Sequence, residues 1–441
     1  MFSSLLLCFM KNTIKLLDFQ ITLQRKKSPK GTKFVHFKKP SAPIAIKICS
    51  RSGSRFDTAS KSGLAHFVEH ILLDGTEKYK NKKELSLIFD DLGASYSAST
   101  GPEHTRFDFL IAKRGHLSSV ADVVDQIFNK PLISEKSIEL EKKIIKIEIS
   151  SKLDNSKRVL SNNMEKLIYG DSSLAYNISG TEEALETICR EDITTRLKDI
   201  FFQDVTVISC GSCDIEDINT LFEPILNNKE QSLFLDTPQV SEGIKHGSFK
   251  IADQKLIYCM YAFPTCGIAS EDGVALNVLS TYLGKGRSSL LSEVLRYDEG
   301  LLYSVTSGHN RFSDTGYFYI EMGVKKENLT VVFNKVKEVL ETLRINGINQ
   351  EALGIIKNKI VNAGIISTQT VQFWVDTQFY RELLVRDNAY TYVDYLNDID
   401  VISKNEVDSV VNKYISFDNM FFYAVGNVED SEIDELFNAK N

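Results

Sequence analysis

The sequence contains little cysteine and no long hydrophobic run, and each absence excludes a class of protein. Its seven cysteines are an odd number scattered in apolar surroundings, so they predict no disulfide framework and favour a reducing, cytoplasmic compartment. Cys210 and Cys213 form a C-x-x-C pair, but the pair ends an apolar, strand-like run and has no second pair near it. We interpret it as the end of a strand rather than a redox or metal site.

Two further absences limit the partners of the chain. The apolar run over residues 2–10 is too short to span a bilayer and lacks a basic segment, so no membrane contact is expected, although export or organelle targeting stays open. The formal net charge of -7 argues against a general nucleic-acid binder. With 441 residues, 43% of them hydrophobic and 25% charged, the chain has an ordinary globular composition and a length that predicts two domains.

What the sequence does contain is the stretch His-Phe-Val-Glu-His from His66 to His70. Ser62 is a candidate N-cap and Gly75 a candidate end, so the stretch is predicted to be helical. On a helix the two histidines lie one turn apart on the same face, and their ring nitrogens can converge on one point. Two imidazoles with the carboxylate of Glu69 beside them are the parts of a catalytic zinc site, and the pattern H-x-x-E-H defines the inverzincin peptidases.

The apolar residues of this helix lie on a stripe away from the histidines, formed by Leu64, Phe67, Ile71 and Leu72. The alternative is that both histidines are simply core residues. A single histidine would favour that alternative, whereas two at ligand spacing beside a glutamate favour a metal. A third ligand elsewhere in the chain would strengthen the metal interpretation.

A second predicted helix, over about 137–153, offers this third ligand. Glu141 and Glu148 are almost two turns apart, so they share one face with Ile138 and Ile145. A buried carboxylate is costly unless it is paired or bound to a cation. We therefore predict that Glu148 is the third zinc ligand and that Glu141 orients a ligand histidine. The alternative is that both glutamates are solvated and pair with neighbouring lysines.

The predicted elements repeat in the same order in the two halves of the chain. In the first half the strand and helix around the histidines precede a helix over 83–92, strands over 94–100 and 105–111, and a helix over 117–128. The second half has a strand over 255–263, helices over 272–283 and 289–297, strands over 303–307 and 317–324, and a helix over 329–344. This repetition predicts an α+β fold of two tandem, similar α/β-sandwich domains, each with an antiparallel-rich sheet and helices on one face.

The predicted domain boundaries follow from a polar segment in the middle of the chain. Residues 1–226 form the N-terminal, zinc-binding domain, residues 227–245 the linker, and residues 246–441 a C-terminal domain of the same fold. Where the first half has the two histidines, the second has the segment Leu276-Asn277-Val278-Leu279-Ser280. The second domain is therefore predicted to have no metal site.

The two glutamates and the histidine stretch belong to a longer series of short motifs. The others are Gly53-Ser54-Arg55, Gly63-Leu64-Ala65-His66, Asp74-Gly75-Thr76, Leu92-Gly93, Ala98-x-Thr100-x-x-Glu103-x-Thr105, Asn177-Ile178-x-Gly180-Thr181, Gly286-Arg287-Ser288-Ser289, Leu295-Arg296 and Gly300-x-x-Tyr303-Ser304. With these motifs the chain, from about residue 22 to about 428, resembles the pitrilysin and mitochondrial-processing-peptidase family of zinc peptidases.

The resemblance implies a zinc metalloendopeptidase with one Zn²⁺ per chain, held by the three predicted ligands. Glu69 would take a proton from water and return it to the leaving amine. The resemblance further implies that Arg296 and Tyr303 of the second domain bind the substrate carbonyl, where a guanidinium and a phenol are suitable donors to an oxyanion. Without the resemblance, these two residues would be interpreted as a surface arginine and a strand tyrosine.

The resemblance also implies how substrate and partner bind. An extended peptide would lie along a strand edge at Ser97, Ala98 and Thr100. The family usually has asparagine before the alanine, and because Ser97 is shorter and has no amide, the contact there is expected to differ. A chain of this length resembles half of a clamshell, which implies a homodimer or a heterodimer with a related chain. In such a dimer Arg296 and Tyr303 would serve the partner's zinc, and the chamber would take peptides or unfolded segments.

Two other functions are weighed against peptidase activity. The fold is also used by non-catalytic partner subunits and scaffolds, in which the loss of a ligand is usual, and none is lost here. A purely structural zinc is disfavoured because Glu69 would then have no role.

Overall fold

The computed structural model of the protein describes residues 13–16, 19–198, 202–227, 237–385 and 390–438. The apolar run over 2–10 and residues 228–236 of the predicted linker lie outside these residues. Across the described part of the chain, no helix is both long enough and apolar enough to cross a bilayer.

The chain folds into two compact units, and both are discontinuous in the sequence. Unit 1 consists of residues 1–149, 176–235 and 365–393, and unit 2 of residues 150–175, 236–364 and 394–441. The predicted boundaries gave two continuous segments, whereas each compact unit takes a segment from the opposite half of the chain. Each exchanged segment contains one complete helix, and both of these helices lie on sheet faces that the sequence patterns left uncovered.

The strands of the described residues form two sheets that share one plan. The strands are β1 (Thr13–Leu16), β2 (Ile21–Lys27), β3 (Lys33–Lys38), β4 (Ile44–Ser50), β5 (Ser95–Thr100), β6 (Thr105–Ile111), β7 (Thr206–Gly211), β8 (Lys245–Lys250), β9 (Leu256–Cys266), β10 (Leu302–Arg311), β11 (Thr315–Lys325) and β12 (Phe421–Gly426). The first sheet has the order β1-β2-β3-β7-β4-β6-β5 and the second the order β10-β11-β9-β12-β8. Both are antiparallel except at β3–β7 and β8–β12, which are equivalent parallel pairs. The shared order confirms the predicted duplication and the α+β fold.

The helices alternate with these strands. They are α1 (Leu64–Asp74), α2 (Lys82–Leu92), α3 (Leu117–Asn129), α4 (Glu135–Leu153), α5 (Ser156–Tyr169), α6 (Glu182–Thr187), α7 (Arg190–Arg196), α8 (Ile215–Phe222), α9 (Asp272–Gly284), α10 (Leu290–Ser292), α11 (Leu329–Asn346), α12 (Gln350–Ser367), α13 (Val371–Leu384), α14 (Tyr392–Val401), α15 (Lys404–Tyr414) and α16 (Asp430–Asn438). The predicted helix over 289–297 is α10 followed by a π-helical segment, Glu293–Asp298.

The two faces of the first sheet are covered differently. On the inner strand β4, Ile44, Ile46 and Ile48 face the main core of unit 1, which includes residues of α1 and α3. On the opposite face lies α13, whose Trp374 is fully buried with its ring 5.2 Å from that of Phe37. This face also buries a charge, because Lys47 pairs with Asp108 and, at 3.0 Å, with Asp376 of α13.

Unit 2 repeats this arrangement with α5. Its main core packs α9, α11 and α15 against one face of the second sheet. On the other face Leu160, Met164 and Tyr169 of α5 form a separate apolar cluster with Tyr317 and Phe421 of the sheet. The hydroxyl of Tyr317 donates a hydrogen bond to Glu165 Oε1 at 3.0 Å, so a carboxylate of α5 is bonded directly to the sheet.

Candidate metal centre

The helix that carries both histidines, α1, has an N-cap residue whose side chain makes no capping hydrogen bond. Its N-cap residue is Gly63, in a left-handed conformation with φ 93°, so the predicted cap at Ser62 is wrong. The carboxylate of Asp57 instead accepts hydrogen bonds from the backbone N–H groups of Gly63 at 3.1 Å and Ala65 at 3.2 Å. Glycine is required at this point because a Cβ would lie 2.7 Å from the carbonyl oxygen of Ser179.

Arg196 of α7 fixes the capping carboxylate. Its guanidinium pairs with Asp57 Oδ1 at 2.8 Å, and the two side chains are 2% and 0% exposed. It also donates to the backbone carbonyls of Ser52, Gly53 and Phe56 at 2.7, 2.8 and 3.1 Å. Burial raises the pKa of Asp57 to about 6, although the neighbouring arginine acts to lower it. The loop before α1 is therefore held as one piece with the start of the helix.

His66 and His70 project from one face of α1, one turn apart. Their ring centroids are 4.6 Å apart and their planes meet at 68°. The other face of the helix buries Phe67 and Ile71 completely in the core of unit 1. Because the core holds that face, the histidine face is fixed in orientation, and the two imidazoles remain partly accessible at 12% and 13% exposure.

Glu148 of α4 lies opposite the two imidazoles. Its Oε2 is 3.7 Å from His66 Nε2, and its Oε1 is 3.5 Å from His70 Nε2. One ligand atom from each residue lies within 4.8 Å of the others. The structure therefore brings together the three residues that the sequence predicted as ligands, from two helices that are far apart in the chain.

Glu141 lies on the same face of α4, two turns before Glu148, and it is 1% exposed. The Nδ1 of His70 donates to Glu141 Oε2 at 2.7 Å, which fixes the orientation of the ring and directs Nε2 towards Glu148. Burial acts to lower the pKa of His70, but the hydrogen bond and the charge of Glu141 outweigh it, so the pKa lies above its usual value. A carboxylate behind a ligand histidine is the usual arrangement around protein-bound metals.

Glu69 is the remaining carboxylate of α1 near the site, and it is buried. Burial raises the pKa of Glu69 above its usual value, although hydrogen bonds from Thr100 act to lower it. The hydroxyl of Thr100 donates to Glu69 Oε2 at 2.6 Å. The sequence predicted Thr100 as a substrate contact, and gave no signal for this bond between residues on a helix and a strand.

The other predicted substrate residues lie on β5, which is an edge strand of the first sheet among the described residues. β5 pairs only with β6 there, so the other side of its backbone is available to a further strand. Ser97 is exposed, Ala98 is half-buried, and Thr100 is buried. The available edge and the candidate metal centre therefore belong to the same unit, and they meet at Thr100.

Arg296 and Tyr303 belong to unit 2. Arg296 is exposed on the π-helical segment after α10, where its guanidinium lies 5.8 Å from the ring centroid of Tyr297. Tyr303 lies on β10, an edge strand of the second sheet, and is 67% exposed. Neither side chain is used by the core of its own unit, so both remain available for contacts outside it.

The donor set of unit 1 fits a zinc ion. Zinc binds imidazole nitrogen and carboxylate oxygen at about 2.0–2.2 Å, so tetrahedral ligand atoms lie about 3.4 Å apart. The separations of Glu148 from His66 and His70, 3.7 and 3.5 Å, are close to this value. Two histidines and one glutamate leave the fourth position open, as in catalytic rather than structural zinc sites.

The predicted C-x-x-C pair is not part of any such site. Cys210 and Cys213 are fully buried free thiols. Burial raises the pKa of each thiol to about 12, the opposite of what a reactive cysteine requires. Cys210 is the penultimate residue of β7, and Cys213 follows the strand by two residues, so the pair lies at the end of a strand as predicted.

This fold, with a histidine–histidine–glutamate group that fits zinc, defines a class of two-unit α+β proteins with a candidate metal centre, and sequence comparison gives the family. The insulinase (peptidase family M16) model matches residues 35–182, and the peptidase M16 inactive domain model matches residues 203–360. The chain belongs to the insulinase family, peptidase family M16. The first match contains both histidines of α1 together with Glu141 and Glu148 of α4, and the second covers most of the sheet of unit 2.

Individual relatives agree with this assignment. The chain is 26% identical over 380 residues to the uncharacterized zinc protease YmxG of Bacillus subtilis, covering 85% of this chain and 91% of the relative. A solved structure of a protease from Helicobacter pylori superposes with a TM-score of 0.82 at 20% identity, covering 91% of this chain and 99% of that one. A peptidase M16 inactive domain from Pseudomonas fluorescens gives a TM-score of 0.80 at 17% identity, covering 92% and 98%. At these identities the two solved structures establish the fold alone.

Proposed function

We propose that the protein is a zinc-dependent endopeptidase that hydrolyses peptides or unfolded segments. The observation that carries the proposal is the convergence of His66, His70 and Glu148 with the buried Glu69 beside them. A zinc ion held by these three ligands would lower the pKa of water at the open position and polarise a peptide carbonyl.

The other residues of the proposed active site have separate roles in catalysis. Glu69 accepts the proton from the attacking water and passes it to the leaving amine. Glu141 keeps His70 in the orientation that presents Nε2. Tyr303 and Arg296 are proposed to donate to the carbonyl oxygen as it becomes negative.

The proposed substrate binds as an extended strand along β5. Because β5 is an edge strand among the described residues, a peptide can add to it by backbone hydrogen bonds at Ser97 and Ala98. Recognition through the backbone favours unfolded segments over folded proteins, and it leaves sequence preference to the side-chain pockets. The exposed hydroxyl of Ser97 can bond to substrate, but it cannot make the paired contacts of an amide.

The experiment is cleavage of a quenched peptide library by the purified protein, with and without chelator, beside a measurement of bound zinc. We expect one zinc per chain and chelator-sensitive cleavage. Glu69→Gln should keep the zinc and lose activity by at least about a hundredfold, because it removes the proton acceptor and no ligand. Zinc-loaded wild-type protein that cleaves nothing would refute the proposal.

We further propose a dimer in which Arg296 and Tyr303 serve the zinc of a partner, which is either an identical chain or a relative. Mixing Glu69→Gln protein with Tyr303→Phe protein should restore activity if sites are shared between chains. No gain on mixing would refute shared sites. We propose a cytoplasmic location, in keeping with the free buried thiols.

A second candidate function is that of a catalytically silent partner or scaffold subunit. It is favoured by the similarity of the fold to a chain described as an inactive M16 domain. The library experiment separates the two functions, because a scaffold would show no chelator-sensitive cleavage alone, and none after the addition of zinc.

A further inference from the structure

Thr100 lies at the junction between the metal-binding helix and the strand proposed to bind substrate. It is the last residue of β5, and its side chain is directed to α1, where the hydroxyl donates to Glu69 Oε2 at 2.6 Å. Thr100 is 8% exposed and Glu69 is likewise 8% exposed, so this contact is shielded from solvent.

We propose that Thr100 is a positioning residue for Glu69 and not a substrate contact. The inference rests on the proposed peptidase function, in which Glu69 handles the proton. A glutamate side chain has three rotatable bonds, and a buried carboxylate with one oxygen held by a hydroxyl at 2.6 Å loses much of that freedom. The plane of the Glu69 carboxylate is then set before substrate arrives.

Thr100 can fix Glu69 because the turn after β5 is itself fixed. The backbone N–H of Gly101 donates to the carbonyl of His104 at 2.8 Å, and the carbonyl of Gly101 accepts from the N–H of Ser54 at 3.0 Å. Arg55 and Glu103 form a buried ion pair at 2.7 Å, with side chains 1% and 3% exposed. These contacts join the turn to the same loop that caps α1, so strand end and helix start form one preorganised support.

The geometry has a consequence for substrate. The backbone edge of β5 at Ser97 and Ala98 is available to a peptide, and only two residues later the same strand reaches Thr100. A peptide added to this edge would therefore lie beside a strand whose last residue already holds the proton acceptor in place.

The test compares three zinc-loaded variants with wild type. Thr100→Val keeps the shape and removes the donor, and Thr100→Ser restores it. Thr105→Val is the matched control, because Thr105 is a buried threonine directly opposite Thr100 in the strand register, and its hydroxyl donates to the carbonyl of Ser52 and not to Glu69. Kinetic constants for a quenched peptide, zinc content and a crystal structure are measured for each variant.

We expect Thr100→Val to lower kcat by roughly ten- to a hundredfold with KM within about twofold and zinc content unchanged. Thr100→Ser and Thr105→Val should stay within about threefold of wild type in kcat. In the crystal structures the Glu69 carboxylate should leave its wild-type rotamer in Thr100→Val alone.

Two results would overturn the proposal. A rise in KM at unchanged kcat would make Thr100 a substrate contact, and an unmoved Glu69 rotamer in Thr100→Val would remove the positioning role. If the wild-type protein itself cleaves nothing, the proposed function fails, and the crystallographic comparison still decides whether Thr100 sets the position of Glu69.

Discussion

Replacing Arg196 with methionine tests whether the start of α1 depends on a buried ion pair. The substitution keeps a long unbranched side chain, removes the charge, and leaves Asp57 buried without its cation. The two side chains are 2% and 0% exposed, so water cannot replace the guanidinium. Removing one partner of such a pair costs about 3–5 kcal/mol, and we expect the free energy of unfolding of unit 1 to fall by that amount at pH 8.

The pH dependence gives the prediction its sign. Burial already raises the pKa of Asp57 to about 6, above its value in the unfolded chain of about 3.9. Because the folded state binds this proton more tightly, stability falls as the pH rises from the unfolded to the folded pKa. Without Arg196 the pKa of Asp57 in the folded protein rises further, so the pH range over which stability is lost extends to higher pH. The deficit of Arg196→Met relative to wild type should therefore be smaller at pH 5 than at pH 8.

The assay uses the only tryptophan in the chain. Trp374 is buried in unit 1 with its ring 5.2 Å from Phe37, so its fluorescence during urea denaturation reports the unfolding of that unit. The double variant Arg196→Met/Asp57→Asn removes the unpaired charge and should recover part of the loss. A deficit below about 1 kcal/mol at pH 8, or one equal at both pH values, would refute the reasoning.

Two further predictions concern other buried carboxyl groups. Burial raises the pKa of Glu165 to about 7, so the wild-type protein loses stability as the pH rises from about 4.3 to 7. The Glu165→Gln variant can still accept the hydrogen bond from Tyr317. Its free energy of unfolding should exceed that of wild type by about 3 kcal/mol at pH 8 and equal it near pH 4. Calorimetry at the two pH values measures this, and a variant less stable at pH 8 would contradict it. Glu141→Gln should weaken zinc affinity by roughly ten- to a hundredfold, because it weakens the bond that orients His70. Competition with a chromophoric chelator measures the affinity, and an unchanged value would show that the ring needs no support.

The residues of the candidate metal centre could be predicted from sequence because they come in two pairs, each within one helix. His66 and His70 share a helix face by their spacing alone, and Glu141 and Glu148 do so on α4. The repeated order of strands and helices likewise follows from periodicity within short segments. Only the meeting of the two helices required a resemblance or a structure.

The missed features join residues with no local pattern between them. Asp57 and Arg196 are 139 residues apart, and Glu69 and Thr100 are 31 apart, so nothing in either segment signals the contact. Ser62 was predicted as a cap because serine is a common one. The actual cap is the carboxylate of Asp57 in the preceding loop, and it serves a helix whose N-cap position needs glycine.

The exchanged helix α13 affects how the protein is made. The last strand of the first sheet, β7, ends at Gly211, and α13 begins at Val371. At ordinary rates of translation the nascent chain would wait roughly ten to thirty seconds between these points. During that time the face destined for Trp374 is bare, with Phe37 and the ammonium of Lys47 lacking their cover. Until α13 has been synthesised and packs on the sheet, this face must therefore be kept from contact with other nascent chains on the same polysome.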